Sequence, residues 1–197
     1  MLKNRIFVAA LIFMAGIFTL VLSIPCSAQE SSSLISGVAS ANSNSGIRKG
    51  KFTEERKRKG KETQNLAGEL VFDPAGTLSM TYSTPKGDYF NVTDGFILMK
   101  NYGVESKFDL SRNKPMKSLG NLLISSFAGK LQDFASGNSC TIDAEKTAKS
   151  IRITVTATRK AVKGYSKVVV DYDPRTSLLM SMLMEEFDGS VTAYKMQ

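Results

Sequence analysis

The sequence predicts a mainly β protein: a single antiparallel sheet of about ten strands with a helical insertion, which lies across the sheet as either a core plug or a lid. Short segments in which apolar and polar residues alternate occupy both halves of the chain, and this alternation is typical of strands with one buried face. Turn sequences rich in glycine, proline and aspartate separate these segments. Between the two halves the apolar residues recur every three or four positions instead, which indicates an amphipathic helix. Because a sheet of about ten strands twists and curls, one of its faces becomes concave.

The strand pattern is clearest at residues 72–99, which read FDPAGTLSMTYSTPKGDYFNVTDGFILM. Leu78, Met80 and Tyr82 fall on one face of their strand, and polar residues fall on the other. The turns between these strands are predicted at residues 73–76, 85–88 and 94–95. The first half of the chain is predicted to hold six strands, at residues 47–58, 66–72, 77–83, 89–92, 96–102 and 105–110.

The helical pattern runs from residue 115 to residue 135, and Gly129 is expected to break it. A weaker helix is predicted at residues 31–45, where serine, asparagine and glycine are frequent. After a Gly-Asn-Ser link the strand pattern returns, at residues 150–158, 163–172, 177–187 and 190–196. No internal repeat divides the chain, so we expect one domain at residues 29–197.

The N-terminal segment predicts export to the periplasm. Two basic residues precede an apolar run at residues 6–24, and small residues follow it, so residues 1–28 read as a signal peptide cleaved after Ala28. The apolar run is long enough that an uncleaved membrane anchor is the rival interpretation. A lipoprotein signal at Cys26 fits poorly, because Pro25 precedes the cysteine and Ser23 stands at the −3 position.

Composition argues against enzymatic activity. The chain has no histidine, so it has no Ser-His or Cys-His pair and no imidazole ligand for a metal. It also has no G-x-S-x-G motif and no phosphate-binding glycine loop. Cys140 is interpreted as a buried small residue rather than a nucleophile. We expect no catalytic residue, no metal site and no cofactor.

The formal net charge of +8 is concentrated in one basic segment, residues 48–61. Nucleic acid is not expected as a partner, because the protein is predicted to be exported and no aromatic residues lie between the basic ones to stack on bases. Two interpretations of the basic segment stay open. It is either a solvated hairpin tip or a patch that docks to anionic lipid or to an acidic partner.

The concave apolar face is the candidate site. Methionine is flexible and polarisable, so the methionines of this face either fill gaps in a core or form an adaptable cavity wall. The predicted cavity residues are Leu70, Phe72, Leu78, Met80, Tyr82, Phe90, Met180, Met182 and Met184. The predicted lid residues are Leu119, Leu122, Leu123, Phe127 and Leu131.

Several short motifs, in this order, resemble the periplasmic outer-membrane lipoprotein carrier family (LolA-like) over nearly all of residues 29–197. They are Phe52-Thr53-Glu54, Gly68, Phe72, Pro74, Tyr82-Ser83-Thr84-Pro85, Val92-Thr93-Asp94-Gly95 and Asp188-Gly189-Ser190-Val191-Thr192. The chain departs from the family at Asp73, where the family often has an arginine that is thought to help hold the lid. It also lacks the tryptophan that usually follows the Asp-Gly turn.

The resemblance implies a single antiparallel, unclosed half-barrel covered by a helical lid, and a monomeric periplasmic carrier without a cofactor. Such proteins accept the acyl chains of a lipoprotein from an inner-membrane ABC-type lipoprotein-release complex, shield them from water and deliver them to an outer-membrane acceptor. The alternative is a non-enzymatic envelope sensor, or a lipid or assembly module, tethered to the inner membrane on the same β-fold. A retained N-terminal anchor would favour that alternative, because a carrier has to leave the membrane.

Overall fold

Eleven strands form one antiparallel sheet in the part of the chain described by the computed structural model, residues 26–43, 45–160 and 164–197. The helices are α1 (Cys26–Ser43), α2 (Lys114–Ala128) and α3 (Leu131–Gly137). The strands are β1 (Arg48–Lys57), β2 (Gln64–Asp73), β3 (Thr77–Thr84), β4 (Lys86–Thr93), β5 (Phe96–Asn101), β6 (Val104–Asp109), β7 (Cys140–Lys146), β8 (Ile151–Ala157), β9 (Tyr165–Tyr172), β10 (Leu179–Glu186) and β11 (Val191–Met196).

The sheet is open, with strand order β6-β5-β4-β3-β2-β1-β11-β10-β9-β8-β7. The first six strands follow one another as a meander, and the last strand returns to pair with the first, with Phe52 opposite Met196. The two halves predicted from the sequence are therefore joined along β1 and β11, and β6 and β7 are left as edges. This arrangement confirms an unclosed antiparallel half-barrel with a helical lid.

Strand β7 is the element that the sequence did not predict, so the count is eleven rather than about ten. The sequence places only Cys140 on a link and predicts no element for the residues that follow it. The inward positions of the strand carry only Cys140, Ile142 and Ala144, between polar neighbours. The strand pairs with β8 along its whole length. On its other side α1 covers it, and the backbone N–H of Ala144 donates to Ser31 Oγ at 2.7 Å. An edge strand covered in this way needs little apolar alternation of its own.

The helical predictions are confirmed with changed bounds. The N-terminal helix begins at Cys26 instead of residue 31. The long amphipathic segment divides into α2 and α3 at Gly129, whose φ of 70° is the left-handed conformation that commonly ends a helix. Among the described helices, none has both the length and the hydropathy needed to cross a membrane. Residues 1–25, which hold most of the predicted signal peptide, lie outside the described residues.

One glycine sets the shape of the sheet centre. A Cβ at Gly68 would lie 2.2 Å from the carbonyl oxygen of Thr81 and 2.9 Å from the ring of Phe52. No side chain fits there, so β2 approaches the Phe52 ring with its backbone. The register shift between Ala67 and Gly68 falls at the same place, as expected for a bulge that bends a strand.

Candidate functional site

The concave face and the lid form one apolar cluster. Seven of the predicted cavity residues are buried in it, namely Leu70, Phe72, Leu78, Met80, Tyr82, Met182 and Met184, and Phe90 is half-buried against it. Four of the predicted lid residues, Leu122, Leu123, Phe127 and Leu131, are buried in the same cluster, and Leu119 is half-buried against it. The predicted cavity residues and the predicted lid residues therefore pack against each other. With the lid in this position, the lid side chains occupy the concave face of the sheet.

Met180 is the exception, and the prediction that it shares a face with Met182 and Met184 is wrong. A β-bulge interrupts the pairing of β9 with β10 between Leu179 and Ser181. The extra residue reverses the alternation, so Leu179 is buried and Met180 is 38% exposed. A strict period of two cannot reveal an inserted residue.

The lid is held to the sheet most firmly at the C-terminal end of α2. Tyr172 Oη, at the end of β9, donates a hydrogen bond of 2.8 Å to the carbonyl oxygen of Ser126. Arg48 Nη2, at the start of β1, donates to the carbonyl oxygen of Phe127. These are carbonyls of the last helical turn, which have no partner within the helix. The Phe127 ring also stacks on Phe72, with centroids 5.3 Å apart.

The N-terminal half of α2 rests on the sheet through apolar contacts. An ideal Cβ at Gly120 would lie 3.2 Å from Ile97 Cδ1 and 3.3 Å from Val92 Cγ1. The helix therefore lies almost directly on β4 and β5 at this point. Among the described residues, those of α2 itself hydrogen-bond to the sheet only through Tyr172 and Arg48, at the other end of the helix. At the N-terminal end, the backbone N–H of the N-cap residue Asn113 donates to the carbonyl oxygen of Asp109, the last residue of β6.

Arg48 was not recognised from the sequence as a lid residue. Its Nη1 donates to Asn42 Oδ1 at 2.6 Å, and its guanidinium lies 4.7 Å from the centroid of the Phe72 ring. Partial burial lowers the pKa of Arg48, and the neighbouring Tyr172 opposes that shift. Arg48 pairs with Phe72 across the sheet, so it stands next to Asp73. A guanidinium thus reaches the lid from the neighbouring strand, although Asp73 replaces the arginine of the LolA-like pattern.

A second polar group lies inside the sheet, at the opposite end of β1. Glu54 is 2% exposed and is paired with Arg56. Tyr82 Oη donates to Glu54 Oε2 at 2.7 Å, and Arg56 Nη2 contacts Tyr82 Oη at 3.2 Å. Burial raises the pKa of Tyr82 and of Tyr194, and the charge of Glu54 raises both further. Both phenols are therefore neutral at physiological pH, and the phenol of Tyr82 serves as a hydrogen-bond donor.

These contacts divide the basic segment. Arg48 and Arg56 occupy alternate positions of β1 together with Phe52 and Glu54, so their side chains share the concave face. That alternation was the signal available in the sequence. The interpretation of the whole segment as a solvated tip is therefore wrong for these two arginines. The remaining charges at the β1–β2 turn are exposed, namely Lys57, Arg58, Lys59 and Lys61, and a docking role for them stays a prediction.

Beside the lid, a cavity of about 280 Å³ opens between α3 and the ends of β7, β8 and β9. We call it the α3 cavity. Cys140 lines it from β7, half-buried rather than buried on a link. Burial raises the pKa of the Cys140 thiol, so the thiol is protonated at neutral pH and is a weak nucleophile. The described residues contain no cluster of three or more side chains of histidine, cysteine, aspartate or glutamate that could hold a metal ion.

Comparison with solved structures supports the same architecture. MucB is similar with a TM-score of 0.50 at 11% identity, over 85% of this chain and 57% of that one, so this chain spans little more than half of MucB. The open antiparallel sheet with a helical lid is the fold that the LolA-like resemblance implies. A LolA superfamily protein from Nitrosomonas europaea gives a TM-score of 0.41 at 9% identity, over 85% of this chain and 91% of that one. A putative outer membrane lipoprotein-sorting protein domain from Vibrio parahaemolyticus gives a TM-score of 0.46 at 15% identity, over 86% of this chain and 91% of that one.

At such identities the likeness concerns the LolA-like fold alone. No family model matches the chain, and no curated protein matches it either. The resemblance that the sequence motifs predict is thus confirmed for the fold. What the protein binds has to be argued from its own residues.

Proposed function

We propose that this protein is a non-enzymatic, extracytoplasmic carrier that binds the acyl chains of a lipidated protein beneath its lid. The observation that carries the proposal is the lid itself. Its apolar stripe packs on an equally apolar concave face, yet the residues of α2 itself hydrogen-bond to the sheet at one end only. The other end can lift without leaving a buried backbone group unpaired.

The energetics suit reversible loading. Exposing an acyl chain to water costs about 0.8 kcal/mol per methylene, so a carrier has to cover it. When the lid lifts, the concave face loses its contacts with Leu122 and Leu123 and gains contacts with the acyl chain. The apolar area hidden from water changes little in this exchange, so neither state is strongly favoured. Met80, Met182 and Met184 can adjust their side chains to either neighbour.

The sequence extends the proposal to partners. The predicted signal peptide and the LolA-like motifs support a periplasmic protein that receives lipoproteins from an inner-membrane ABC-type release complex and delivers them to an outer-membrane acceptor. We propose both partners on that ground.

A disulfide that locks the lid tests the proposal. A Cβ at position 120 would lie 3.3 Å from Val92 Cγ1, so cysteines at the two positions would bring their sulfur atoms close together. In a background in which Cys26 and Cys140 are both replaced by serine, Gly120→Cys with Val92→Cys should form a disulfide that pins the N-terminal half of α2 to β4. We expect the reduced protein to bind a fluorescent triacylated lipopeptide and the oxidised protein to lose that binding. Reduction should restore it.

The two single-cysteine variants are the controls, because they carry the same side chains and cannot form the bridge. Their lipopeptide binding should not respond to oxidation. Equal binding by the locked and the unlocked protein would show that the lid does not gate the site. Absence of binding in every form, the unmodified protein included, would overturn the carrier function itself.

The runner-up function is an envelope module that binds a protein partner while tethered to the inner membrane. The likeness to MucB favours it, because MucB has been crystallised in complex with MucA(peri). The two functions differ in the fate of residues 1–28. A carrier should be recovered from the periplasm with Gln29 as its first residue, whereas a tethered module should remain in the membrane fraction with Met1 in place.

A further inference from the structure

The α3 cavity is open to solvent beside the lid while the lid packs on the sheet. Its floor is formed by Phe134, Val155 and Val168, which are buried members of the apolar cluster beneath the lid. The cavity therefore reaches from solvent to the apolar interior that the carrier proposal assigns to acyl chains. Cys140 and Ala157, at the facing ends of β7 and β8, form its side wall.

The charged residues that line the α3 cavity, among those that the structure describes, are basic. Arg159 and Lys167 are among its lining residues, and no aspartate or glutamate is. A cavity with an apolar floor and a cationic rim is complementary to a molecule with an apolar tail and an anionic head. A lipid whose head is neutral would leave the rim without a partner.

The size of the cavity limits the tail. About 280 Å³ lies just below the range of roughly 300–1,000 Å³ that is typical of small-ligand pockets. Such a volume accepts one chain, whereas a lipid with several chains requires the lid to move.

We propose that the α3 cavity is a preformed binding site for a single acyl chain with an anionic head group, with Arg159 on the head and Phe134, Val155 and Val168 around the chain. The inference rests on the proposed lipid-binding function, and it assigns the place at which a lipid first contacts the protein. The head group is either the carboxylate of a free fatty acid or the phosphate of a single-chain phospholipid. Both present the same chemistry to Arg159.

Cys140 makes the site testable with a native reporter. Replacing Cys26 by serine leaves Cys140 as the sole cysteine of the chain. Protein purified without detergent is treated with iodoacetamide, and alkylation is followed by mass spectrometry. Dodecanoate at ten times its dissociation constant should slow the alkylation of Cys140 about tenfold, by mass action. Dodecanol, which has the same chain and a neutral head, should bind more weakly and protect less at equal concentration.

Two pairs of variants distinguish the contribution of the acyl chain to binding from that of the head group. Ala157→Leu fills the cavity and should abolish protection, whereas Thr156→Leu, on the exposed face of the same strand, should not. Arg159→Gln should reduce the affinity for dodecanoate to that for dodecanol. Lys160→Gln removes the same charge one residue away, outside the lining, and should leave the difference intact. A thermal melt of each variant establishes that it is folded.

The outcomes distinguish this inference from the carrier function. Dodecanoate binding without protection of Cys140 would overturn the assigned site and leave the carrier proposal standing. Equal protection by dodecanol would overturn the role of Arg159. Failure of both dodecanoate and the triacylated lipopeptide to bind would overturn both proposals. Protection by lysophosphatidylglycerol as well as dodecanoate would support a phospholipid source for the head group, and protection by dodecanoate alone would support a free fatty acid.

Discussion

The guanidinium of Arg48, at the first position of β1, donates a hydrogen bond to the carbonyl oxygen of Phe127 in the last turn of α2. A positive charge at the C-terminus of a helix is favourable, because the partial negative charge of the helix dipole lies there. The same guanidinium contacts Asn42 near the end of α1. One side chain of the sheet therefore connects both helices, and it defines the fixed end about which the lid can move.

Replacing Arg48 by methionine tests this connection. The variant keeps the length and apolar stem of the side chain but leaves the oxygens of Phe127 and Asn42 without their donor. We expect a loss of about 1–3 kcal/mol in the free energy of unfolding, measured with urea. Hydrogen exchange of the last turn of α2 should quicken. Lys49→Met removes the same charge from the exposed face of β1 and should change stability by less than about 0.5 kcal/mol. Equal effects of both variants would contradict the proposed role of Arg48.

The two methionines on either side of the β10 bulge should respond differently to truncation. Met182 is 1% exposed within the apolar cluster, so Met182→Ala leaves a void and should cost roughly 2–5 kcal/mol. Met180 is 38% exposed, so Met180→Ala should cost much less. Urea denaturation of both variants checks the difference. A similar cost for both would place Met180 in the core and contradict the bulge.

The error at Met180 shows which residues of this site the sequence can predict and which it cannot. Strict alternation placed Met182 and Met184 correctly on the concave face, since their burial follows the period of two. It failed at Met180, because a bulge is set by pairing with β9 and leaves no local signature. Strand β7 was missed for a related reason: α1 and β8 supply its neighbours, so its own sequence carries little of the pattern.

The polar parts of the site were harder to predict than the apolar ones. Amphipathic spacing found the lid residues, because the helix period alone decides which of them share a face. Arg48 and Arg56 were instead grouped with their basic neighbours by composition. Whether an arginine points inward depends on a partner elsewhere in the chain, and the carbonyl of Phe127 and the phenol of Tyr82 are both distant in sequence.

The buried pair of Glu54 and Arg56 yields a prediction about stability. Arg56→Met leaves Glu54 buried without its counter-charge, which should cost about 3–5 kcal/mol. Adding Glu54→Gln removes the unpaired charge and keeps an acceptor for Tyr82, so the double variant should regain most of that loss. Urea denaturation of the two single variants and the double variant gives the coupling energy of the pair.

Arg58 provides the matched control for this pair, because it is exposed at the β1–β2 turn. Arg58→Met should leave the free energy of unfolding nearly unchanged. If Arg56→Met were equally mild, the ion pair would contribute nothing to the fold, and the division of the basic segment would be wrong.

The buried tyrosines predict how stability depends on pH. The pKa values of Tyr82, Tyr165, Tyr172 and Tyr194 are all raised, in each case first by burial. In the unfolded chain a tyrosine ionises near pH 10. A group whose pKa is raised by folding contributes stability that is fully present below its unfolded pKa and is lost as the pH rises toward its folded pKa. The contribution of these tyrosines to the free energy of unfolding should therefore stay constant up to about pH 9 and decrease above about pH 10.

The slope of that loss can be measured. Each tyrosine that ionises only after unfolding lowers the free energy of unfolding by about 1.4 kcal/mol per pH unit above pH 10. The side chain of Tyr165 is half-buried against the apolar cluster, so Tyr165→Phe should reduce the slope by about one proton with little effect at pH 7. Tyr102→Phe removes a phenol that is 63% exposed and should leave the slope unchanged. Urea denaturation at a series of pH values gives the slope, and tyrosine absorbance of the folded protein reports ionisation directly. A free energy of unfolding that stays flat beyond pH 11 would mean that the phenols ionise within the folded protein, and it would contradict the burial of these four side chains.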